Sequence, residues 1–371
     1  MLHTAGMYRL FIAVTLLSLS VGLQSSPRMD YYASAVPVKS QSAQERVQAA
    51  REALLNVIVR MSGSDAVRND EAVRARTGTA LRMVEQFQYL DLDDPELKQE
   101  GYSALLRLTF SASSVRELLQ QTLGLPFWSE SRPNILVWLV EDSSEFGKQF
   151  VLYDPENPLV KGLQVTADYR GLPLSFPLLD FEDQSALSPE SAWELDELAI
   201  LEASRRYAAD VILVGNVTQT SSGRIFSNWE YFHDETRRIY DARAEDQLEL
   251  GRSALTPLAN YLASKLAVVR SESAAGSLSL RVSNVRSFAD YAGLMQVFTR
   301  LDAIGDVQLI SVDGFDLVLQ LRTDAPATQF SELLKLSRSL TAEQGSDSAV
   351  PVWQQAALGS SANPLRYRWQ R

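Results

Sequence analysis

The chain has 371 residues, of which 46% are hydrophobic and 22% are charged, and its formal net charge is −11. This composition is typical of a globular protein of two or three domains and excludes a disordered chain or a membrane bundle. The negative charge argues against unspecific binding to nucleic acid and against electrostatic docking on anionic lipid headgroups, because both require a basic face. The sequence has no cysteine, which excludes disulfides, thiolate chemistry, cysteine-based metal sites and lipidation of an N-terminal cysteine.

Residues 1–22 have the pattern of a secretory signal peptide. Arg9 gives a positive start, and residues 10–23 are almost wholly apolar. An apolar run of about 14 residues is too short to span a bilayer comfortably, where about 20 are needed. We therefore expect cleavage after Gly22, export to the periplasm and no membrane span in the mature chain. The alternative interpretations are an uncleaved anchor and a buried N-terminal strand.

Residues 28–126 are predicted to form a small N-terminal α+β domain. Ser42 and Glu45 have the spacing of a capping box ahead of an amphipathic helix, and Gly63 ends that helix. Around it the sequence predicts a strand over 30–38, a weaker helix over 65–80, strands over 81–90 and 102–110, and a last helix over 113–123.

Residues 130–270 are predicted to form a central α/β domain. Two short apolar runs bounded by turn residues, at 132–141 and 210–217, are typical of buried strands. A helix beginning at Pro189 leads into the second run, which predicts a parallel core. The other predicted elements are a loop over 143–157, a short helix within 159–171, an extended edge segment over 172–180, antiparallel strands over 224–232 and 236–242, and one long helix over 246–269.

Residues 277–371 are predicted to form a C-terminal ferredoxin-like domain. A strand at 278–282 is followed by a helix that Ser287 caps, and two further strands are joined by Asp313-Gly314, a strong hairpin signal. A helix over 328–340, a loose insertion over 341–364 and a final strand over 365–369 complete the order βαββαβ, which is the split ferredoxin-like pattern.

Few residues are available for catalysis. His233 is the only histidine outside the signal segment, and the sequence contains no H-E-x-x-H, G-x-S-x-G, phosphate-loop or dinucleotide-binding motif. His233 lies beside Asp234 between two predicted strands, where it is either a general base or, more simply, part of a solvated hairpin tip. We therefore predict no catalytic residue, no metal site and no cofactor.

Polar residues at the ends of the central strands form a candidate ligand site. Glu141 ends the first buried strand, Asn216 ends the second, and Asp180 ends the extended segment between them. Open α/β sheets bind ligands at the carboxyl ends of their strands, so these three side chains are the predicted ligand-binding residues. The alternative is that the acidic residues are part of solvated turns.

Three aromatic residues are candidates for partner docking. Trp229, Tyr231 and Phe232 lie on a strand predicted to be at the edge of the central sheet. Strand aromatics commonly pack across to the next strand, but large aromatics also anchor interfaces, and an edge strand can pair with a partner. Both interpretations are open from the sequence.

The chain resembles a family of exported proteobacterial proteins catalogued only as a domain of unknown function. The resemblance covers residues 30–270 and depends on three stretches, at 132–139, 171–180 and 209–215. It implies no activity. More distantly, the helix that leads into the 210–217 strand makes the central domain similar to envelope-assembly domains such as the TolB amino-terminal domain and CsgG. The chain lacks both a cysteine for lipidation and barrel-forming hairpins, so pore formation is not expected.

These observations favour a non-enzymatic periplasmic binding or assembly module of the cell envelope. Its expected partner is an envelope protein or complex, and not a nucleic acid. The alternative is a carboxylate-dependent envelope hydrolase, or a protein that binds a small ligand, with a site at the ends of the central strands.

Overall fold

Three β-sheets, each with its own helices, organise the chain. The computed structural model describes residues 29–220, 224–269, 276–301, 303–323, 325–343 and 356–370, so the predicted signal peptide lies outside the described residues. The three sheets have three, six and five strands and follow one another along the sequence. The prediction of a multidomain chain of α+β and α/β type is therefore confirmed at the level of fold class, and residues 31–371 form one compact unit.

The N-terminal sheet is antiparallel, with the strand order β1-β3-β2. The Ser42 hydroxyl accepts a hydrogen bond from the Glu45 amide at the start of α1, and Gly63 ends α1 in the left-handed conformation, as the sequence predicts. The elements are β1 (Ala33–Val38), α1 (Ala43–Ser62), α2 (Glu71–Arg76), β2 (Val84–Leu90), α3 (Pro95–Gln99), β3 (Ala104–Phe110) and α4 (Ala112–Glu117).

The central sheet has the strand order β5-β4-β7-β8-β9, and β6 pairs with β4. Strands β4 and β7 are parallel, as predicted, whereas β8 and β9 continue the sheet as antiparallel strands. The elements are β4 (Ile135–Ser143), β5 (Gly147–Phe150), α5 (Pro158–Arg170), β6 (Leu174–Ser175), α6 (Phe181–Ala186), α7 (Pro189–Trp193), α8 (Glu197–Ser204), β7 (Val211–Gln219), β8 (Ile225–His233), β9 (Thr236–Ala244), α9 (Gln247–Ala254) and α10 (Thr256–Leu266).

Three elements of the central domain differ from their predictions: two predicted helices are each split into two, and a predicted loop contains a strand. The helix that begins at Pro189 breaks at Leu195, which has a positive φ of 58°, and Asp196 then caps α8. The long helix over 246–269 is two helices, because Pro257, the second residue of α10, has no N–H to continue the hydrogen bonding of α9. The predicted loop over 143–157 contains β5, which forms a hairpin with β4.

The C-terminal sheet has the strand order β11-β12-β10-β14-β13. Strand β14 runs parallel to β10, whereas the last strand of a ferredoxin-like domain runs antiparallel to the first. This detail of the prediction is wrong. The strand that runs in the direction opposite to β10 is β13, and β14 then pairs antiparallel to β13. The elements are β10 (Gly276–Ser283), α11 (Phe288–Arg300), β11 (Ile304–Asp313), β12 (Asp316–Thr323), α12 (Ala327–Lys335), β13 (Leu340–Ala342) and β14 (Leu365–Trp369).

Two hydrophobic cores lie on opposite faces of the central sheet. Alternate residues of a strand point to opposite faces, so β4 contributes Val137 to the first core and Trp138 to the second. The first core contains α5, α9 and α10 and continues without a break into the C-terminal sheet. The second core, under α6, α7 and α8, is smaller. The central and C-terminal sheets are therefore held together by shared apolar packing.

Three buried arginines join the N-terminal sheet to the central sheet. Arg60, on α1, donates to the carbonyl of Asp168 on α5, at 3.0 Å, and to the carbonyl of Ala33, at 2.6 Å. Arg132 donates to the carbonyl of Arg60, at 3.0 Å, and its guanidinium lies 3.8 Å from the ring centre of Trp128. Arg170 donates to the carbonyl of Gly63, at 2.7 Å, and to Asn260 Oδ1, at 2.8 Å. Guanidinium groups thus satisfy carbonyls at the C-terminal ends of both α1 and α5.

Gly215 allows β7 and β8 to pack around a fully buried tryptophan. Trp229 lies opposite Gly215 in the β7–β8 register, and its ring covers the glycine. A Cβ on residue 215 would overlap three atoms of that ring. The glycine at the end of the predicted strand therefore serves packing.

Gly215→Ala is expected to destabilise the protein by about 1–3 kcal/mol, because an added methyl group must displace a packed ring. Chemical denaturation, monitored by tryptophan fluorescence, measures this loss. Gly78→Ala is the matched control, since a Cβ there meets no atom within 4 Å and should change stability by less than about 0.5 kcal/mol. Equal effects of the two substitutions would contradict the packing role of Gly215.

Candidate functional site

The three predicted ligand-binding residues do not converge. Alternate residues of a strand share a face. Glu141 is therefore on the same face of β4 as Val137 and Leu139, which belong to the first core, whereas Asn216 is on the same face of β7 as Val214, which belongs to the second core. The Asn216 amide donates to the carbonyl of Trp193, at 2.7 Å, under α7. Asp180 is bound by Arg206 at the start of α6. The pleat of the sheet thus separates Glu141 from Asn216, and the structure forms no common pocket from the three side chains.

The three predicted docking aromatics are buried. Trp229 and Tyr231 have no exposed surface and Phe232 has 7%, because β8 lies between β7 and β9 and is not an edge strand. Trp229 Nε1 donates to the Ser227 hydroxyl, at 2.8 Å, and the Tyr231 ring packs 5.0 Å from the ring of Tyr261. The packing interpretation of these aromatics is confirmed, and they form no exposed docking face.

A charged network fixes the turn at residues 178–183, just before and within the start of α6. The Arg206 guanidinium contacts both Asp180 oxygens, at 2.7 and 3.0 Å, and one Asp183 oxygen, at 3.1 Å. Asp183 is fully buried, and its other oxygen accepts from the Leu179 amide, at 2.8 Å, and from the Tyr207 hydroxyl, at 2.5 Å. The hydrogen bonds from Arg206 lower the pKa of Asp180 to about 2. Asp180 therefore positions the turn.

The 178–183 turn points one leucine inward and two apolar side chains outward. Leu179 has a positive φ of 52° and is buried in the second core. Its neighbours Leu178 and Phe181 are 69% and 87% exposed. The Leu178 amide donates to the Tyr207 hydroxyl, at 2.8 Å, so both sides of the inward leucine are anchored. The turn is therefore held by hydrogen bonds on both sides while it exposes two apolar side chains.

The surroundings of this turn are strongly acidic. Between Arg170 and Arg205 the sequence has eight acidic residues and no lysine, arginine or histidine. Arginines from outside this segment bind several of these acids, as Arg237 binds Glu197 at 3.0 Å and Arg205 binds Glu202 at 2.6 Å. The exposed leucine and phenylalanine therefore lie within a surface of net negative charge.

A second site, which the sequence did not predict, surrounds His233. A cleft of about 480 Å³ lies between the β8–β9 turn, α10 and α12. His233 is only 7% exposed, and its Nδ1 lies 3.1 Å from the Tyr261 hydroxyl. Lys335 on α12 forms ion pairs with Asp234, at 2.9 Å, and with Glu332, at 3.0 Å. The interpretation of His233 as part of a solvated hairpin tip is wrong, because α10 and α12, which come from distant sequence, cover it.

Burial lowers the pKa of His233, although the carboxylates of Asp234 and Glu332 raise it. The imidazole is therefore neutral at pH 7, and a proton must enter a poorly solvated position on acidification.

Within the described residues, no group of three or more histidine, aspartate or glutamate side chains is placed to hold a metal ion. No helix in the described ranges is long and apolar enough to cross a membrane.

Residues 27–129 match the family described as Domain of unknown function (DUF8605). A domain of unknown function is thus present. The match ends before the three stretches on which the resemblance in the sequence depends, so the similarity of the central domain to envelope-assembly domains stays a prediction. No curated protein matches the chain at a significant level.

Two solved structures show weak similarity. The LpoB C-terminal domain from Salmonella enterica is 14% identical, with a TM-score of 0.21 over 30% of this chain and 80% of that one. A structure titled as an uncharacterized protein is 13% identical, with a TM-score of 0.15 over 36% of this chain and 88% of that one. At these TM-scores neither structure assigns a function to this chain.

Removing Arg206 should shift the acid stability of the 178–183 turn. The stabilising contribution of ionised Asp180 is complete above the ordinary carboxyl pKa of about 4 and is lost as the pH falls toward 2, because the folded-state pKa is lowered. In Arg206→Gln the carboxyl should titrate at a higher pH, although the Asp183 amide still donates to it and keeps part of the lowering. NMR titration of the Asp180 carboxyl measures this shift. Arg205→Gln, next in the chain, is the control, and the Asp180 titration should be unchanged in it.

His233 should make the protein less stable in mild acid. Its folded-state pKa is below 6.5, so the unfolded chain takes up the proton first, and the contribution of His233 to stability falls as the pH drops below 6.5. His233→Gln should therefore lose less stability than the wild type between pH 7 and pH 5, as measured by urea denaturation at each pH. An identical pH dependence in both proteins would contradict the burial of the imidazole.

Proposed function

We propose that the protein is a non-enzymatic binding module of the cell envelope that docks on a partner through the 178–183 turn. The observation that carries this proposal is the charged network that fixes the turn while leaving Leu178 and Phe181 exposed. A leucine with positive φ costs about 1–2 kcal/mol, and a fully buried carboxylate must be compensated by hydrogen bonds. A turn built at this cost, with apolar side chains in water, is suited to contact with another surface.

The rigidity of the turn favours binding. Association loses about 0.5–1.5 kcal/mol for each flexible side chain that it orders, and a preorganised turn avoids part of that loss. Large aromatic anchors that enter a pocket on the partner dominate interface energies. Phe181, fixed at the first position of α6 with most of its ring in solvent, has the position of such an anchor.

The cellular location is part of the proposal. The apolar segment at residues 10–23 and the positive Arg9 support export, and the partner of an exported chain lies in the periplasm or on the envelope. The alternative of a carboxylate-dependent hydrolase finds no support in the geometry, because Glu141, Asp180 and Asn216 lie apart and Asp180 is already bound by Arg206.

Site-specific photocrosslinking in the native host tests the proposal. A benzophenone amino acid in place of Phe181 is expected to give a discrete adduct in the periplasmic fraction. The same amino acid in place of Phe146, which is also well exposed but lies in the β4–β5 turn, is the matched control and should give none. Identical adducts from both positions, or adducts only in the cytoplasm, would contradict the proposal.

Once the adduct is identified, the anchor is tested directly. Phe181→Ala should weaken binding to the crosslinked partner about 30-fold, which corresponds to the roughly 2 kcal/mol of an interface anchor. Arg206→Gln should weaken binding although it leaves Phe181 in place, because the turn loses its rigidity. Unchanged affinity in both variants, measured by calorimetry on folded protein, would exclude the turn as the docking surface.

A further inference from the structure

A cleft of about 260 Å³ lies between the C-terminal ends of α11 and α12 and the segment that precedes β4. Arg300 and Leu301 line it from the end of α11, Leu336 lines it from the end of α12, and Ser131 lines it from the segment before β4. Clefts that hold drug-sized ligands measure about 300–1,000 Å³. This cleft is slightly smaller, so its size is suited to a small molecule.

Two guanidinium groups line the cleft without a carboxylate partner. Neither Arg300 nor Arg338 forms an ion pair with a described residue, and no aspartate or glutamate of the described chain lines the cleft. Arg338 donates to the carbonyl of Ala208, at 2.8 Å, and this bond anchors its side chain. The other N–H groups of Arg338, and all those of Arg300, are therefore available to an acceptor from outside the described chain.

Three serine hydroxyls line the same cleft. Ser131, Ser337 and Ser339 are partly buried, and none of their hydroxyls has a hydrogen-bond partner among the residues that the structure describes. A hydroxyl can donate one hydrogen bond, and a guanidinium donates up to five and accepts none. The two arginines and the three serines thus present donors that no carboxylate of the cleft satisfies. Carboxylate and phosphate oxygens are the acceptors that match guanidinium groups best.

The helix ends at this cleft oppose an anion, so their charge must be compared with that of the arginines. A helix C-terminus carries about half a negative charge, and the ends of α11 and α12 together carry about one. Arg300, in the last turn of α11, offsets part of this charge, whereas Arg338 lies beyond the end of α12. Because two guanidinium groups exceed the two helix ends by about one unit, the cleft keeps a positive charge.

The remaining wall of the cleft is apolar. Leu301 and Leu333 are buried, and Val297 and Leu336 are partly buried. Val297 and Leu301 are four positions apart, and Leu333 and Leu336 are three apart, so each pair forms one continuous patch. An apolar chain attached to the anionic group would leave water in contact with these patches. The cleft therefore combines one charged and one apolar half.

We propose that this cleft binds a small amphiphilic oxyanion, which is a carboxylate or a phosphate monoester with a short apolar chain. Arg300 and Arg338 bind the oxyanion, and the three serine hydroxyls donate to its remaining oxygens. The apolar chain contacts the leucines and the valine of the opposite wall. The site does not include the 178–183 turn, so either proposal can fail without the other.

Calorimetric titration of the full chain with octanoate, octyl phosphate, octylammonium and acetate tests the proposal. One molecule of octanoate or of octyl phosphate should bind per chain, and the tighter of the two identifies the oxyanion as carboxylate or phosphate. Octylammonium, which has the wrong charge, and acetate, which has no apolar chain, should each bind more weakly by about tenfold or more. No saturable binding of either eight-carbon oxyanion, or equal binding of octylammonium or acetate, would overturn the proposal.

Variants locate the bound oxyanion. Arg300→Gln/Arg338→Gln should weaken its binding by about tenfold or more, because both charged donors are lost. Arg74→Gln/Arg76→Gln, which removes two exposed arginines from the last turn of α2, is the matched control and should bind as the wild type does. Arg300→Gln alone breaks no contact with a described side chain, so its weaker binding is not a consequence of misfolding, which circular dichroism checks. Unchanged binding in both cleft variants, or an equal loss in the control, would overturn the proposal.

Discussion

The junction between α1 and α5 is the constraint on which the arrangement of the first two sheets depends. Both helices end there, and their last carbonyls need donors that the helices cannot supply. Arg60, Arg132 and Arg170 supply them, and positive charge is favourable at a helix C-terminus. The arrangement is costly, because burial lowers the pKa of Arg132 to about 9. Lysine could not replace these residues easily, since one planar guanidinium donates in several fixed directions.

This junction also determines where the 178–183 turn begins. Gly171 ends α5 with a φ of 68°, directly after Arg170, and the Arg60 side chain occupies the space that a Cβ on residue 171 would need. From this point the chain runs through β6 into the turn, whose other side is anchored by Arg206. Arginines therefore fix the segment at both ends, at the helix junction through hydrogen bonds to carbonyls and at the turn through carboxylates. Between these anchors the exposed Leu178 and Phe181 have a defined position.

Local signals in the sequence were sufficient for much of the fold. The Ser42 cap, the parallel strands β4 and β7, and the Asp313-Gly314 hairpin each depend on neighbouring residues, and each was predicted. The errors have physical causes that a local pattern does not show. Trp229 was predicted to lie at an edge because the alternating pattern of β8 does not show that β7 and β9 pair with its two sides. His233 appeared solvated because its cover, Tyr261 and α12, follows much later in the chain. Asp180 was predicted to bind a ligand, and the sequence did not show that Arg206 binds this carboxylate.

The net charge of −11 is distributed unevenly along the chain. The segment over residues 171–204, which contains α6, α7 and α8, has eight acidic residues and no basic residue. Within this segment the exposed Leu178 and Phe181 lie beside the carboxylates, and hydrogen bonds fix the backbone of the 178–183 turn. Charge of one sign attracts a partner over about 10 Å at moderate ionic strength, whereas apolar contact acts only after water is expelled. Surfaces of this kind use charge to select the partner and apolar burial to retain it. Raising the salt concentration therefore slows association at such a surface much more than it speeds dissociation.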